Sequence, residues 1–159
     1  MSNKKNTRVN IPAIGEEKRG EQGHIGYLLR QAHAAQRIRM EKALAQLAIT
    51  LPQFSVLTML VAYPGASGAD LAKLSLLTPQ TMSVILSNLE KAKLITRHPN
   101  KEHGRIQLID MTSEGLALLA QCKLIAESVE KELLDGITPD EEGIVRRWLV
   151  DVAKGHKAL

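Results

Sequence analysis

The sequence has few aromatic residues, one cysteine and no long apolar run, and each shortage excludes a class of protein. One Trp, two Tyr and one Phe among 159 residues do not supply the aromatic platforms on which proteins stack single-stranded RNA. The single cysteine, Cys122, excludes an internal disulfide. No uninterrupted apolar run reaches the length of about 18 residues that indicates a membrane span, and the polar N-terminus lacks the apolar run of a secretory signal. We therefore expect a cytoplasmic protein.

Residue spacings typical of enzyme active sites and cofactor sites are missing as well. The five histidines do not form a His-Glu-x-x-His pattern, and neither a glycine-rich phosphate loop nor a serine elbow is present. Cys122 falls on the apolar side of a predicted helix, which favours a buried small side chain over a nucleophile. His98, Glu102 and His103 are close in sequence, but two histidines without a cysteine are weak evidence for a metal site. We expect no enzyme activity, no cofactor and no metal.

Positive charge is concentrated in the first two thirds of the chain. Residues 1–112 carry 15 Lys and Arg against 8 Asp and Glu, whereas residues 113–159 carry 6 against 9. Lys and Arg bind polyanions because they release the counterions condensed on phosphates. The distribution favours DNA binding by the front part of the chain, although an unevenly charged solvated surface would have the same composition.

Helical periodicity and capping residues predict six helices. Apolar residues recur at helical spacing from Gly26 to Leu47, and again from Ser113 to Leu134. Four further helix starts carry a Ser or Thr whose hydroxyl accepts a hydrogen bond from a free backbone N–H, three of them followed by an early proline. These starts lie near residues 51, 68, 79 and 139.

Between the helices of 79–92 and 113–134 the pattern changes from helix to strand. Two short runs rich in β-branched residues, Leu94–His98 and Arg105–Ile109, flank the turn residues 99–104. This pattern predicts a β-hairpin. Two helices joined by about three residues and followed by a hairpin are typical of a winged helix-turn-helix. We therefore predict a mostly α fold with a small β-hairpin wing (α+β).

The helix predicted over 79–92 has the pattern of a recognition helix, which must be apolar on one side only. Its apolar residues recur at helical spacing and should pack inward: Met82, Ile85, Leu86 and Leu89. The remaining side chains are short and polar, apart from one valine that suits a thymine methyl group, and such groups match the edges of bases in the major groove. The predicted DNA contacts of this helix are Thr78, Gln80, Thr81, Ser83, Val84, Ser87, Asn88 and Lys91, and those of the basic hairpin include Arg97 and Lys101. An ordinary amphipathic surface helix is the alternative.

The order of these segments resembles the MarR family of bacterial and archaeal transcription regulators, from Gly26 to about Lys154. The segments that carry the resemblance are residues 26–30, 49–57, 68–72, 81–83 and 89–95, and the Met-Thr-Ser-Glu-Gly segment of residues 111–115. Each segment alone has low specificity, whereas their order and spacing together are highly specific.

The resemblance implies a homodimer that binds a pseudo-palindromic DNA site. Residues 21–49 and 113–159 would form the helical dimerisation region, residues 50–112 the DNA-binding lobe, and residues 1–20 a flexible basic tail. Independently, apolar stripes on the last two helices are too extensive for one 60-residue lobe to cover. The predicted interface residues are Leu28, Leu119, Cys122, Ile125, Val129, Ile144, Trp148, Leu149 and Val152. An intrachain core is the alternative for these stripes.

In the wing, the family usually carries an Asp-x-Arg pair whose Arg enters the minor groove while the Asp holds it. Here the Arg position is Arg105, but the Asp position is His103. Glu102 is adjacent, although its side chain should leave the opposite face of the hairpin. The resemblance therefore implies a wing contact through Arg105. For the missing Asp two alternatives stay open: Glu102 takes over its role, or His103 contacts phosphate itself when protonated.

The resemblance also implies a repressor that a small phenolic or aromatic acid releases from DNA. By position, the residues implied for the ligand pocket are His33, Gln36, Arg37, Met40, Met59 and Trp148. Core or interface packing is the alternative for each of them. The region of the first helix has no cysteine, which argues against peroxide sensing of the kind some relatives use. The remaining alternative function is a winged-helix module that binds protein rather than DNA.

Overall fold

A computed structural model of the chain describes residues 10–99 and 107–155. The chain divides into two compact units, Met1–Ile38 and Arg39–Leu159. Six α-helices and one two-stranded antiparallel sheet are present among the described residues, so the predicted mostly helical fold with a hairpin is confirmed. The elements are α1 (Ile25–Leu44), α2 (Leu51–Ala62), α3 (Gly68–Leu74), α4 (Pro79–Lys91), β1 (Ile95–Pro99), β2 (Gln107–Met111), α5 (Ser113–Leu133) and α6 (Pro139–Lys154).

The structure describes residues 10–20 of the predicted flexible tail. A short 3-10 helix spans Glu17–Arg19, and the Arg19 Nη1 donates to the carbonyl oxygen of Pro12 at 2.7 Å. The Gln31 Nε2 of α1 in turn donates to the carbonyl oxygen of Arg19 at 3.0 Å. These hydrogen bonds attach the segment to α1 within the first unit, whereas residues 1–9 lie outside the described part of the chain.

Local caps determine where the helices of the second unit begin, and the four predicted starts are confirmed. Thr50 with Gln53, Ser67 with Asp70, and Thr138 with Glu141 form reciprocal capping boxes. The Ser67 backbone N–H donates to Asp70 Oδ2 at 3.0 Å, and the Thr138 backbone N–H donates to Glu141 Oε2 at 2.7 Å. Each box satisfies backbone donors that a helix end leaves without intrahelical partners.

Both strands of the wing lie slightly further along the chain than the predicted runs. Ile95 pairs with Met111 and Arg97 pairs with Ile109. The prediction ended the second strand at Ile109, but pairing with Ile95 extends the strand to Met111, the residue before the cap of α5. The predicted wing contacts Lys101, His103 and Arg105 lie outside the described residues.

The wing and α5 meet at a junction that requires glycine. A Cβ atom at Gly115 would lie 2.1 Å from the Leu94 carbonyl oxygen, far inside van der Waals contact. The Thr112 hydroxyl accepts a hydrogen bond from the Gly115 N–H at 3.0 Å and donates one to the Lys93 carbonyl oxygen at 2.7 Å. One threonine therefore caps α5 and also binds the turn that follows α4.

The core of the second unit includes part of the stripe that we predicted to be an interface. Cys122 is fully buried, and Leu119 and Val129 are nearly so, in the same apolar cluster as Val56 and Leu57. These three residues of α5 thus pack within the core of the chain itself, which is the alternative stated for their stripe, and α2 is among the elements that contact α5. Burial also raises the pKa of the Cys122 thiol, as expected for a cysteine that acts as a small apolar side chain.

Candidate nucleic-acid interface

The fourth helix separates an apolar inner side from a polar outer side. Met82, Ile85, Leu86 and Leu89 are its buried residues, as predicted. The predicted contacts of this helix lie on the other side: Gln80, Thr81, Ser83, Asn88 and Lys91 are exposed, Ser87 is half-buried, and Val84 is 61% exposed. The helix thus presents hydroxyl, amide and ammonium groups and one apolar side chain to solvent.

The start of α4 has an uncharged cap, Thr78, and no carboxylate that would neutralise the partial positive charge of the helix N-terminus. Thr78 Oγ1 accepts a hydrogen bond from the Thr81 N–H at 3.2 Å, and the two hydroxyl oxygens are 2.9 Å apart. The first turn contains no acidic residue. Because a helix N-terminus carries a partial positive charge that favours anions, this end suits the approach of a phosphate.

The turn between α3 and α4 exposes a residue that the sequence pattern did not single out. Leu76 is 93% exposed and has φ of 55°, in the left-handed region that a leucine rarely adopts. Leu76 precedes Thr78, the cap of α4, by two residues. In sequence, Leu76 is part of the run Leu74–Leu77, which is typical of a core segment, so no local signal distinguishes it.

The predicted wing contact Arg97 is half-buried and occupied by an acidic partner. Arg97 Nε donates to Glu90 Oε2 at 2.9 Å, and its Nη2 donates to the same oxygen. These hydrogen bonds lower the pKa of the Glu90 carboxyl and raise that of the Arg97 guanidinium. Elsewhere on the wing, His98 Nδ1 lies 3.4 Å from Asp110 Oδ2 in an exposed contact.

The residues predicted for a ligand pocket do not form one site within the second unit. Met40 lines a groove of about 710 Å³ together with Glu130, Lys131 and Ile137 of the α5 to α6 region, and neither Met59 nor Trp148 lines it. Met59 packs against the core, and Trp148 is 41% exposed. The other three predicted residues, His33, Gln36 and Arg37, lie on the part of α1 that belongs to the first unit.

The sixth helix leaves its apolar stripe open to solvent. No residue of α6 is buried, and the predicted interface residues of this helix are all exposed: Ile144, Trp148, Leu149 and Val152. Of the other predicted interface residues, Leu28 and Ile125 are half-buried. An exposed stripe of this kind is typical of a surface that a partner covers.

The described residues include neither a cluster of metal-ligating side chains nor a single helix that could span a membrane. No group of three or more His, Cys, Asp or Glu side chains in residues 10–99 and 107–155 is arranged to hold a metal ion. Over the same residues, no single helix has the length and apolar content needed to cross a membrane; the helices over Ile25–Leu47 and Leu51–Ala62 meet that criterion only when taken together.

Comparison with known proteins places similar chains among transcription regulators. A sequence model described as the MarR family matches residues 49–106. The transcriptional repressor Rv2887 of Mycobacterium tuberculosis is 33% identical over 125 residues, which cover 79% of this chain and 90% of the repressor.

Solved structures show the same architecture. The Staphylococcus aureus MepR–DNA complex has a TM-score of 0.77 and 27% identity, over 82% of this chain and 97% of MepR. The complex of Rv2887 with salicylic acid has a TM-score of 0.66 and 32% identity, over 81% of this chain and 96% of that one.

Proposed function

The chain belongs to the MarR family of transcription regulators, and from this premise we propose that it binds a specific duplex DNA sequence through α4 and the wing. The observation that carries the proposal is the division of α4 into a buried apolar side and an exposed polar side. A helix of this kind fits the major groove, where short polar side chains reach the base edges. The similar MepR has been solved in complex with DNA.

Within this interface we assign base reading and phosphate binding to different residues. Gln80 and Asn88 are amides that can donate and accept toward base edges, whereas Lys91 at the end of α4 is a point charge suited to phosphate. The wing contributes Arg105 to the minor groove and Lys101 and His103 to the backbone. The basic surplus of residues 1–112 supports this orientation of the chain toward DNA.

We infer that the DNA-binding species is a homodimer. The dimerisation region consists of residues 21–49 and 113–159, and the lobe of each subunit consists of residues 50–112. The exposed stripe of α6 supports this inference, because a two-fold contact between copies removes such apolar side chains from water. Two lobes related by two-fold symmetry read two half-sites of a pseudo-palindromic operator.

We propose that a small aromatic or phenolic acid releases the repressor from its operator. The similar repressor Rv2887 has been solved with salicylic acid. A ligand shifts the equilibrium only if it binds one arrangement of the lobes more tightly than the other. The released form therefore has a lobe separation that does not match half-sites about one helical turn apart.

The proposal gives the chain a regulatory role and a cytoplasmic location, not a catalytic one. Its curated relatives are transcriptional repressors and regulators. A bacterial or archaeal repressor binds the chromosome, which lies in the cytoplasm. DNA binding by the lobe of residues 50–112 requires no catalytic group.

Selection of bound duplexes from random DNA tests the function most directly. We expect a palindromic consensus with half-sites about one helical turn apart, and an affinity that falls steeply with salt because several phosphates are neutralised. Sedimentation of the free protein should give the mass of two chains. A protein that binds no duplex, or binds one with no salt dependence, would instead support a winged-helix module that recognises another protein.

The effector is tested separately by adding salicylate to the protein–operator complex. We expect a higher melting temperature for the free dimer and release of DNA. If a series of aromatic carboxylates produces neither effect, ligand control is wrong even though DNA binding stands.

A further inference from the structure

One ion pair joins the recognition helix to the wing. Glu90 lies in the last turn of α4, Arg97 is the third residue of β1, and the turn of residues 92–94 separates the two elements. Arg97 Nε and Nη2 both donate to Glu90 Oε2. Hydrogen bonds between two ionised groups are stronger than neutral ones and restrict the geometry more tightly. The pair therefore fixes a point on the wing relative to the end of α4.

The position of Arg97 on its strand shows which way its side chain points. Ile95 is buried, Arg97 is half-buried, and Thr96 and His98 are exposed. Because alternate residues of a strand face opposite sides, Arg97 shares the inner face with Ile95 and with its buried pairing partner Ile109.

Arg97 also lines a cleft of about 410 Å³ formed by the start of α3, by α4 and by the wing. Ser83 and Leu86 of α4 form part of this cleft, and Gln107 and Ile109 of β2 form another part. Arg97 thus lies on the side of the wing that faces α4.

We propose that Glu90 and Arg97 form a positioning pair that holds the wing at a fixed angle to the recognition helix, so that Arg97 serves DNA binding through Glu90. A two-stranded hairpin is marginally stable by itself and needs packing or a tie to hold its orientation. The proposal rests on the proposed function, because DNA affinity is one of the quantities that the pair controls. It replaces the prediction that Arg97 contacts DNA.

The competing explanation makes an opposite prediction for Glu90. If Arg97 binds a phosphate, Glu90 competes with DNA for the guanidinium and places a carboxylate near the phosphates. Glu90→Gln would then tighten DNA binding. If the two residues act as a positioning pair, Glu90→Gln loosens the wing and weakens DNA binding. The sign of this one effect separates the explanations.

The first experiment measures operator affinity over a range of salt concentrations for Glu90→Gln, Arg97→Gln and the double variant. Each single variant should weaken binding by about twofold to fivefold, the range that a surface ion pair carries. The double variant should bind the operator at least as tightly as the single variant with the lower affinity. All three variants should keep the salt dependence of the wild type.

Asp110→Asn is the matched control, because it also removes one negative charge but belongs to a contact confined to the wing. It should bind DNA as tightly as the wild type or more tightly.

The reversed pair, Glu90→Arg with Arg97→Glu, should bind DNA more tightly than either single reversal. Tighter binding by Glu90→Gln would overturn the proposal, and so would a loss of about one phosphate contact from the salt dependence of Arg97→Gln.

The second experiment uses the free protein and so does not depend on DNA binding. Backbone amides of β1 and β2 should exchange with deuterium faster in Glu90→Gln and in Arg97→Gln, while amides of α2 and α5 keep the wild-type rates. Wild-type exchange in the wing of both variants would overturn the proposal. If the wild-type protein binds no duplex, the proposed function fails, and the exchange rates still decide whether the pair holds the wing.

Discussion

The fourth and sixth helices begin with the same two residues, Thr-Pro, and each is apolar on one side, yet the molecule uses them in opposite ways. The stripe of α4 is buried by the chain's own lobe, so its polar side faces outward. No residue of α6 is buried, and its apolar side faces outward. The shared Thr-Pro signal therefore specifies the start of a helix, whereas the surrounding packing decides which side of the helix remains available to a partner.

The first turns of the two helices differ in charge as well. The first turn of α6 carries Asp140, Glu141 and Glu142, whereas that of α4 carries no acidic residue. Carboxylates at a helix start interact favourably with its partial positive charge and would repel a phosphate. The neutral start of α4 leaves that charge available to DNA, and the acidic start of α6 does not.

The largest expected effect is a loss of stability when the buried stripe of α4 is altered. Leu89 is fully buried, so Leu89→Ala should lower the free energy of unfolding by about 2–5 kcal/mol. The control on the same helix, Val84→Ala, removes an exposed side chain and should change stability by no more than about 0.5 kcal/mol. Chemical denaturation measures both. Equal losses would mean that α4 does not present the side described above.

The stripe of α6 should matter for association instead. Trp148→Ala should weaken dimerisation by about 2 kcal/mol, because buried aromatic residues dominate the energetics of interfaces. Sedimentation equilibrium measures the dissociation constant, and Asp151→Asn on the same helix is the control with an exposed polar side chain. A dimer that resists Trp148→Ala would exclude this stripe from the interface.

The polar side of α4 should divide into two kinds of contact. Asn88→Ala should cost about 1–3 kcal/mol on the operator and little on unrelated DNA, because it removes a base contact. Lys91→Ala should weaken binding to all sequences and reduce the salt dependence by about one phosphate. Titrations on operator and unrelated duplexes distinguish the two. If both variants behave alike, the assignment of base and phosphate contacts is wrong.

The smallest expected effect is a difference in acid sensitivity between the two helix starts. Hydrogen bonds from Thr138 lower the pKa of Glu141 in the folded protein, so its contribution is present above the unfolded pKa of about 4.3 and is lost as the pH falls through the folded value. Amides at the start of α6 should therefore exchange faster as the pH falls through the lowered pKa of Glu141, after correction for intrinsic rates. The start of α4 and the Glu141→Gln variant should lack this change.

Sequence reasoning located the helix starts to the residue because a cap is satisfied within one turn. Thr50, Ser67 and Thr138 each bond a residue three positions later, so all the information lies within four residues. The buried side of α4 was also predictable, because one period of 3.6 residues describes a single surface.

Features that depend on a distant neighbour were missed. The stripe of α5 has the pattern of an interface, but Leu119 and Cys122 lie in the core cluster of the second unit together with residues of α2, and periodicity does not say which surface a stripe packs against. Arg97 is a basic residue of the hairpin and was therefore predicted to contact DNA. Its ion-pair partner Glu90 lies in α4, and the sequence pattern does not indicate that pairing. Leu76 is exposed and has a left-handed backbone, and neither feature is visible in a leucine-rich run.

The close approach of Gly115 to Leu94 has a mechanical consequence. The start of α5 touches backbone rather than a side chain that could rotate away, and Thr112 bonds to the same turn. The first turn of α5 is in close contact with the backbone of Leu94, the residue that precedes β1. We therefore expect a displacement of the first turn of α5 to move the hairpin as well.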